Sequence, residues 1–296
     1  MKVVVVGSGT MGNGIAHTFA QYGNEVSLVD VSQEALSKAI ETIKKNIDRQ
    51  LSKGTITEST SRVTLTNITT FTDLKTAVTD ADLVVEAATE NAEIKLGLFK
   101  DLDNFCPSKT ILASNTSSIS ISQIASATKR PAQVIGMHFM NPVPLMKLVE
   151  VIKGKETSAQ TTNFTMQTAI ALDKIPVEVN DAPGFVANRI LMPMINEAVY
   201  ALHEGVAGVR EIDTVMKLGM AHPMGPLQLA DYIGLDVCLA ILEVMQEGFD
   251  DIKYLPCPLL VDMVKNNELG QKTGSGFYDY KNGGKEPLPA QRFTSS

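Results

Sequence analysis

The chain has 296 residues, 44% of them hydrophobic and 20% charged, which is globular composition with enough apolar material for two domains. Its formal net charge of −7 argues against nucleic acid as the main partner, since a phosphate backbone needs a basic face, although a lysine cluster can still hold a small polyanion. No apolar stretch nears the roughly 20 residues that cross a bilayer, no signal peptide precedes the first strand, and Cys106, Cys238 and Cys257 have no metal-ligand spacing. A cytoplasmic protein with reduced structural thiols, no membrane partner and no metal is expected.

Lys2-Val3-Val4-Val5-Val6 predicts a strand buried on both faces. It runs into Gly7-x-Gly9-Thr10-Met11-Gly12 and a helical stretch to Tyr22, the strand–turn–helix setting in which this spacing binds a dinucleotide. Gly7 permits the tight turn, Gly9 lets the backbone approach a pyrophosphate, Gly12 lets the helix pack on the sheet, and helix N-terminal amides face the phosphates. The next run, Val26–Val29, ends in Asp30, where a carboxylate binds the adenosine ribose hydroxyls. A carboxylate facing a 2′-phosphate is a like-charge contact, and Val31 and Ser32 bring no cation, so NAD is favoured over NADP.

From Gln33 to Gly54 the residues Leu36, Ile40, Ile43, Ile47 and Leu51 recur at three- and four-residue steps, predicting a long amphipathic helix. Its other positions carry Lys38, Lys44, Lys45, Arg49 and Lys53, and Thr55 to Val63 turns the chain back, making an inserted helical hairpin. Further apolar runs follow at Leu83–Ala87, Thr110–Ala113, Val134–Met137, Leu148–Ile152 and Val177–Val179. Alternation of such runs with helical patterns is the mark of a doubly wound, Rossmann-like α/β domain.

Ligands of an open α/β sheet sit beyond the carboxyl ends of its strands. Ser114-Asn115-Thr116-Ser117-Ser118 follows one such strand, and Gly136-Met137-His138-Phe139-Met140-Asn141-Pro142 places a histidine at the end of another. Taken alone, the serines read as helix caps and the histidine as structural. Glu150, however, interrupts the apolar run Leu148-Val149-Glu150-Val151, and a carboxylate inside a strand is costly to bury without a partner. His138 is within reach; the carboxylate would fix its tautomer and stabilise its cation, a pairing suited to taking a hydroxyl proton near neutral pH. His17, His203 and His222 have no such partner in sequence, and the methionines Met192, Met194, Met216, Met220 and Met224 read as helix packing.

Asn180-Asp181-Ala182-Pro183-Gly184 is a breaker cluster, so a domain of residues 1–182 is expected to give way to a smaller all-α domain, 183–280, and a loosely ordered tail, 281–296. Helices are predicted over Phe185–Glu204, Val209–Lys217, Pro226–Glu247 and Pro258–Asn267. Asn188 lies at the start of the first, where an isolated asparagine is ordinarily a surface or capping residue.

Together the glycine turn, Ser114–Ser118, His138–Pro142, Leu148–Glu150, Pro183-Gly184-Phe185-Val186-Ala187-Asn188-Arg189 and Gly274-Ser275-Gly276-Phe277-Tyr278 resemble the L-3-hydroxyacyl-CoA dehydrogenases, and among them most the bacterial 3-hydroxybutyryl-CoA dehydrogenases, from Met1 to about Tyr280. The resemblance implies an enzyme that interconverts (S)-3-hydroxyacyl-CoA and 3-oxoacyl-CoA with NAD, His138 being the general base and Glu150 its orienting partner. By it Ser117 and Asn188 hold the substrate's reacting oxygens, the NAD contacts include Asp30, Glu90, Lys95, Ser117 and Asn141, and Lys53 contacts CoA. Asn46 stands where the family has a CoA-contacting serine. A homodimer through the helical domain is implied as well.

Two rivals share the scaffold. A 3-hydroxy acid dehydrogenase of the 6-phosphogluconate type is expected to carry a catalytic lysine on the second domain's first helix, but Asn188–Glu197 has none. A non-catalytic NAD-binding or crystallin-like protein predicts cofactor binding without turnover and leaves the four polar residues without a task.

Overall fold

The apolar runs of the first 180 residues line up as one eight-stranded sheet in a computed structural model that describes residues 1–281 and 287–294. The strands are β1 (Lys2–Val6), β2 (Glu25–Val29), β3 (Ile68–Phe71), β4 (Leu83–Glu86), β5 (Ile111–Ser114), β6 (Val134–Phe139), β7 (Leu148–Lys153) and β8 (Ile175–Asn180). Their order is β3-β2-β1-β4-β5-β6-β7-β8. The first six positions are all parallel; β7 then runs antiparallel to β6, and β8 is parallel to β7. Order 3-2-1-4-5-6 reverses direction of progression between β1 and β4, and there the doubly wound fold opens a crevice for a ligand.

Helices α1 (Thr10–Gln21), α2 (Gln33–Ser52), α3 (Glu58–Thr66), α4 (Leu74–Ala77), α5 (Ala92–Phe105), α6 (Ile121–Ser126) and α7 (Ala159–Ala171) connect the strands. The inserted hairpin is α2 and α3, with Leu36, Ala39, Ile43 and Ile47 buried along α2. Both hairpin helices pack on α1, so the charged positions of α2 are left on its outer side. One strand has no counterpart among the predicted runs. Ile68-Thr69-Thr70-Phe71 is one of the two edge strands, only partly buried, and half of its residues are threonine; a sheet edge does not demand the continuous Val/Ile/Leu that marks its centre.

Residues fall into two units, Met1–Ala182 and Pro183–Ser296. The second unit holds α8 (Ala187–His203), α9 (Val209–Thr214), α10 (Pro226–Ile233), α11 (Leu235–Phe249) and α12 (Pro258–Lys265) around a core that includes Met192, Ile195, Leu227, Leu242 and Met263. The single helix predicted over Pro226–Glu247 is broken at Gly234, whose φ of +105° no helix accommodates, giving α10 and α11. Part of the tail is more ordered than expected. Leu288 and Pro289 pair antiparallel with Tyr278 and Asp279 as β10 and β9, and Ala290 is buried. Residues 282–286 and 295–296 of the predicted tail lie outside the described residues. Among the described residues no helix is long and apolar enough to cross a membrane.

Candidate active site

The carboxyl ends of β1, β4, β5 and β6 bring most of the predicted polar residues to one edge of the sheet. After β1 the chain turns at Gly7, with φ +98°, where a Cβ would stand 2.6 Å from the carbonyl oxygen of Ala87. A Cβ on Gly12 would stand 1.8 Å from the Gly7 carbonyl oxygen, so only glycine lets α1 start this close to the strand. Gly9 faces open space. Gly7, Gly9, Thr10, Met11, Asp30 and Ala87 line a cavity of about 690 Å³, the size of a small-molecule site. Its polar anchor is Asp30, which accepts hydrogen bonds from the Ser8 amide (2.8 Å), the Ser8 hydroxyl (2.7 Å) and the Ser32 amide (3.1 Å). Partial burial pushes the Asp30 carboxyl upward, but the hydrogen bonds from Ser8, Ser32 and Val31 outweigh it and hold the group below the usual carboxylate range. These features fit a dinucleotide: an open backbone turn for its phosphates, an ionised acceptor for ribose hydroxyls and a largely apolar wall.

A histidine–carboxylate pair is formed by cross-strand neighbours. In the antiparallel register His138 of β6 lies directly opposite Glu150 of β7. Their side chains meet with Nδ1 and Oε2 2.9 Å apart, and both are buried. The other ring nitrogen, Nε2, is 3.1 Å from the Ser117 hydroxyl, which the segment after β5 carries to the same place. A carboxylate beside Nδ1 orients the ring so that Nε2 faces the Ser117 hydroxyl.

Glu90 and Lys95 join this group. Glu90 Oε1 accepts from the Thr116 hydroxyl (2.6 Å), the Ser117 amide (2.8 Å), the Ser118 amide (3.1 Å) and the Ser118 hydroxyl (3.0 Å). Burial raises the Glu90 pKa, yet the Lys95 ammonium and these donors outweigh it and keep the carboxyl below its ordinary value. Lys95 is 1% exposed, with its ammonium 2.6 Å from Glu86 and 3.3 Å from Glu90. Asn141 follows β6 beside a cis bond to Pro142 and, with Asn46, Thr42 and Lys38 of α2, lines a second cavity of about 470 Å³ that also touches Gly9 and Thr10. Lys53 is exposed at the C-terminal cap of α2, two turns beyond Asn46. Asn188 belongs to the second unit, buried in the first turn of α8 after Gly184 and Phe185, which both take left-handed backbone (φ +75° and +50°).

Three participants have no place in the sequence reading. Ser8 was an unspecified position between glycines. Glu86 interrupts the apolar run Leu83–Ala87, and the argument that singles out Glu150, a carboxylate in a buried strand, applies to it equally. Lys174 leaves no local signal: its buried ammonium reaches back 31 residues to donate to the carbonyls of Val143 (2.6 Å) and Met146 (2.8 Å), tying down the turn after Asn141. Burial, reinforced by Lys147, lowers its pKa to about 8.

A doubly wound sheet with this glycine turn beside a histidine–carboxylate pair defines a dinucleotide-binding dehydrogenase. The profile of the 3-hydroxyacyl-CoA dehydrogenase NAD binding domain matches residues 2–182, and that of the 3-hydroxyacyl-CoA dehydrogenase C-terminal domain matches residues 184–280; the chain belongs to this family. It is 53% identical to a probable 3-hydroxybutyryl-CoA dehydrogenase of Bacillus subtilis over 95% of this chain and 97% of that one. It is 52% identical to the 3-hydroxybutyryl-CoA dehydrogenase of Clostridioides difficile over 95% of this chain and 99% of that one. The crystal structure of (S)-3-hydroxybutyryl-CoA dehydrogenase from Ralstonia eutropha superposes with a TM-score of 0.91 at 47% identity, covering 95% of this chain and 99% of that one.

Proposed function

We propose that the protein is an NAD-dependent dehydrogenase that interconverts (S)-3-hydroxyacyl-CoA and 3-oxoacyl-CoA, with the four-carbon pair as its substrates. The chain-length reading rests on the names of its relatives. The observation that carries the chemistry is His138, held between Glu150 at 2.9 Å and Ser117 at 3.1 Å at the sheet edge that carries the dinucleotide turn. When bound, the nicotinamide supplies the hydride acceptor for oxidation and the hydride donor for reduction. His138 Nε2 takes the hydroxyl proton as the C3–H bond breaks and the C3–O double bond forms, and returns it in reduction. Glu150 holds the ring's orientation and stabilises the imidazolium formed. Ser117 and Asn188 hold the reacting oxygens, and Glu90, Lys95 and Asn141 organise the cofactor's nicotinamide end.

Asp30 favours NAD, because a 2′-phosphate would meet an ionised carboxylate already committed to Ser8 and Ser32. The CoA portion is read as lying along α2, where Asn46 lines a cavity and Lys53 offers a cation to a phosphate. A homodimer through the helical unit is supported by its exposed apolar side chains, Ile190, Val206 and Leu218 among them. Burial pushes the Cys106 thiol up to about 11 and the Cys238 thiol up to about 12; such unreactive thiols suit the reducing cytoplasm.

The test is NADH-dependent reduction of acetoacetyl-CoA by the parent and by His138→Ala. The variant is expected to bind NADH with unchanged affinity and to lose about 10²–10⁴-fold in kcat, the usual worth of a general acid–base group. Turnover near that of the parent would remove His138 from the mechanism.

A further inference from the structure

Glu86 lies outside the reacting centre, and we propose that it is a positioning residue that sets the place of Ser117 opposite His138. The proposal rests on the reading of Ser117 given above. Glu86 ends β4 with no exposed surface. Its Oε1 accepts from the Ala88 amide (2.7 Å) and the Lys95 ammonium (2.6 Å), and its Oε2 accepts from the Ser114 hydroxyl (2.6 Å). A carboxylate and an ammonium buried this deeply each carry a desolvation penalty, and well-packed apolar residues of similar volume often serve stability as well. The geometry points to a different use.

The two routes out of Glu86 end on the same five-residue segment. Ser114, held directly, is the last residue of β5 and stands three residues before Ser117. Lys95 also pairs with Glu90 Oε2 at 3.3 Å, and Glu90 Oε1 in turn collects donors from Thr116, Ser117 and Ser118. The segment is thus fixed at its start by Glu86 and at its end by Glu90. Between them the Asn115 side chain accepts from the Phe139 amide (2.9 Å), the residue after His138, which locks the segment to β6. Glu90 collects these donors on Oε1, and its other oxygen is held by Lys95, which Glu86 immobilises. With the charge on Glu86 removed, Lys95 keeps one anionic partner and draws the Glu90 carboxylate toward itself, away from Ser117. The Ser117 hydroxyl then shifts from its 3.1 Å approach to His138 Nε2. A displacement on the order of 1 Å in a reacting constellation costs about 100-fold in rate.

The experiment compares Glu86→Gln, Ser114→Ala, Ser117→Ala and the double variant Glu86→Gln/Ser117→Ala in acetoacetyl-CoA reduction, with kcat expressed per NADH-binding site. Glu86→Gln is expected to lower kcat by about 10- to 100-fold, to change KM less than about threefold, and to raise the isotope effect of 4-deuterated NADH as hydride transfer becomes rate-limiting. Ser114→Ala, which spares the Glu86–Lys95 pair, should move kcat and the isotope effect in the same direction and keeps the test open should Glu86→Gln fail to fold. In the Ser117→Ala background Glu86→Gln should add less than about twofold, because residues that act through one another are not additive. A loss confined to the number of NADH-binding sites, with parental kcat and isotope effect, would make Glu86 merely structural and overturn the proposal. Full additivity with Ser117→Ala overturns it too, leaving the reading of the site intact. Parental turnover by Ser117→Ala would overturn both together.

Discussion

Two carboxylates inside apolar strands, Glu86 and Glu150, are buried beside different kinds of partner. Glu150 meets an imidazole whose other nitrogen faces Ser117, and Glu86 meets an ammonium and a hydroxyl that lead to the segment after β5. Asp30 follows a third pattern, ionised at a strand end and filled by local amides with room left for a ligand. On the proposed reading, replacing it with alanine removes the acceptor for ribose hydroxyls and the repulsion of a 2′-phosphate at once. Asp30→Ala should raise the KM for NADH by about 10- to 100-fold, the worth of a hydrogen bond to a charged group, while the KM for NADPH falls or stays level. Parallel initial rates with the two cofactors check this, and an unchanged NADH/NADPH ratio would show that Asp30 does not set the choice.

At the scale of elements, the turn from β1 into α1 separates the demands of folding from those of binding. Gly12 is required by packing, since its Cβ would meet backbone that has nowhere to go. Gly9 is not, since it faces empty space on the side of the cavity. Gly9→Ala should therefore leave the melting temperature unchanged and weaken NADH binding. Gly12→Ala should lower the melting temperature by several degrees, in line with about 1–3 kcal/mol for overpacking. Calorimetry and NADH fluorescence titration on both variants read the two effects separately, and a stability loss at Gly9 as large as at Gly12 would contradict the division. The hairpin of α2 and α3 shows how far an element is legible: periodicity gives its buried stripe, Leu36 to Ile47, while its docking on α1 depends on a surface that no local pattern encodes.

Stability of the whole chain carries a pH signature from the second unit. Asp231 accepts from the amides of Phe277 and Tyr278 and the hydroxyl of Tyr280, and Asp213 accepts from the amides of Leu227 and Gln228 and the hydroxyl of Tyr278. Gly276 packs so closely on Asp231 that a Cβ would stand 1.9 Å from its carboxylate, which gives the Gly274–Tyr278 motif a structural purpose. Burial raises the Asp231 pKa from 3.8 to about 7 against the pull of these donors, and Asp213 adds to the rise. An acid whose folded pKa lies above its unfolded one binds its proton more tightly when folded, so its contribution to stability is greatest below 3.8 and declines until the pH passes about 7. The difference in urea midpoint between the parent and Asp231→Asn should shift against the parent across that window and level off above it. A difference that does not vary with pH would mean Asp231 is ionised throughout.

What the sequence by itself determined follows from short-range necessity. Continuous valines mark central strands, glycine spacing marks the dinucleotide turn, and a carboxylate in an apolar run demands a partner, so the α/β class, the cofactor turn and the pair of His138 with Glu150 are all legible before any coordinates. The tertiary structure alone decided the partners that meet across long sequence separations. Ser117 reaches His138 over 21 residues, Lys174 reaches Val143 over 31, and Ser114 reaches Glu86 over 28. Strand order sets those meetings, and strand order is fixed by the summed packing of whole layers, which no single residue's surroundings in the chain record.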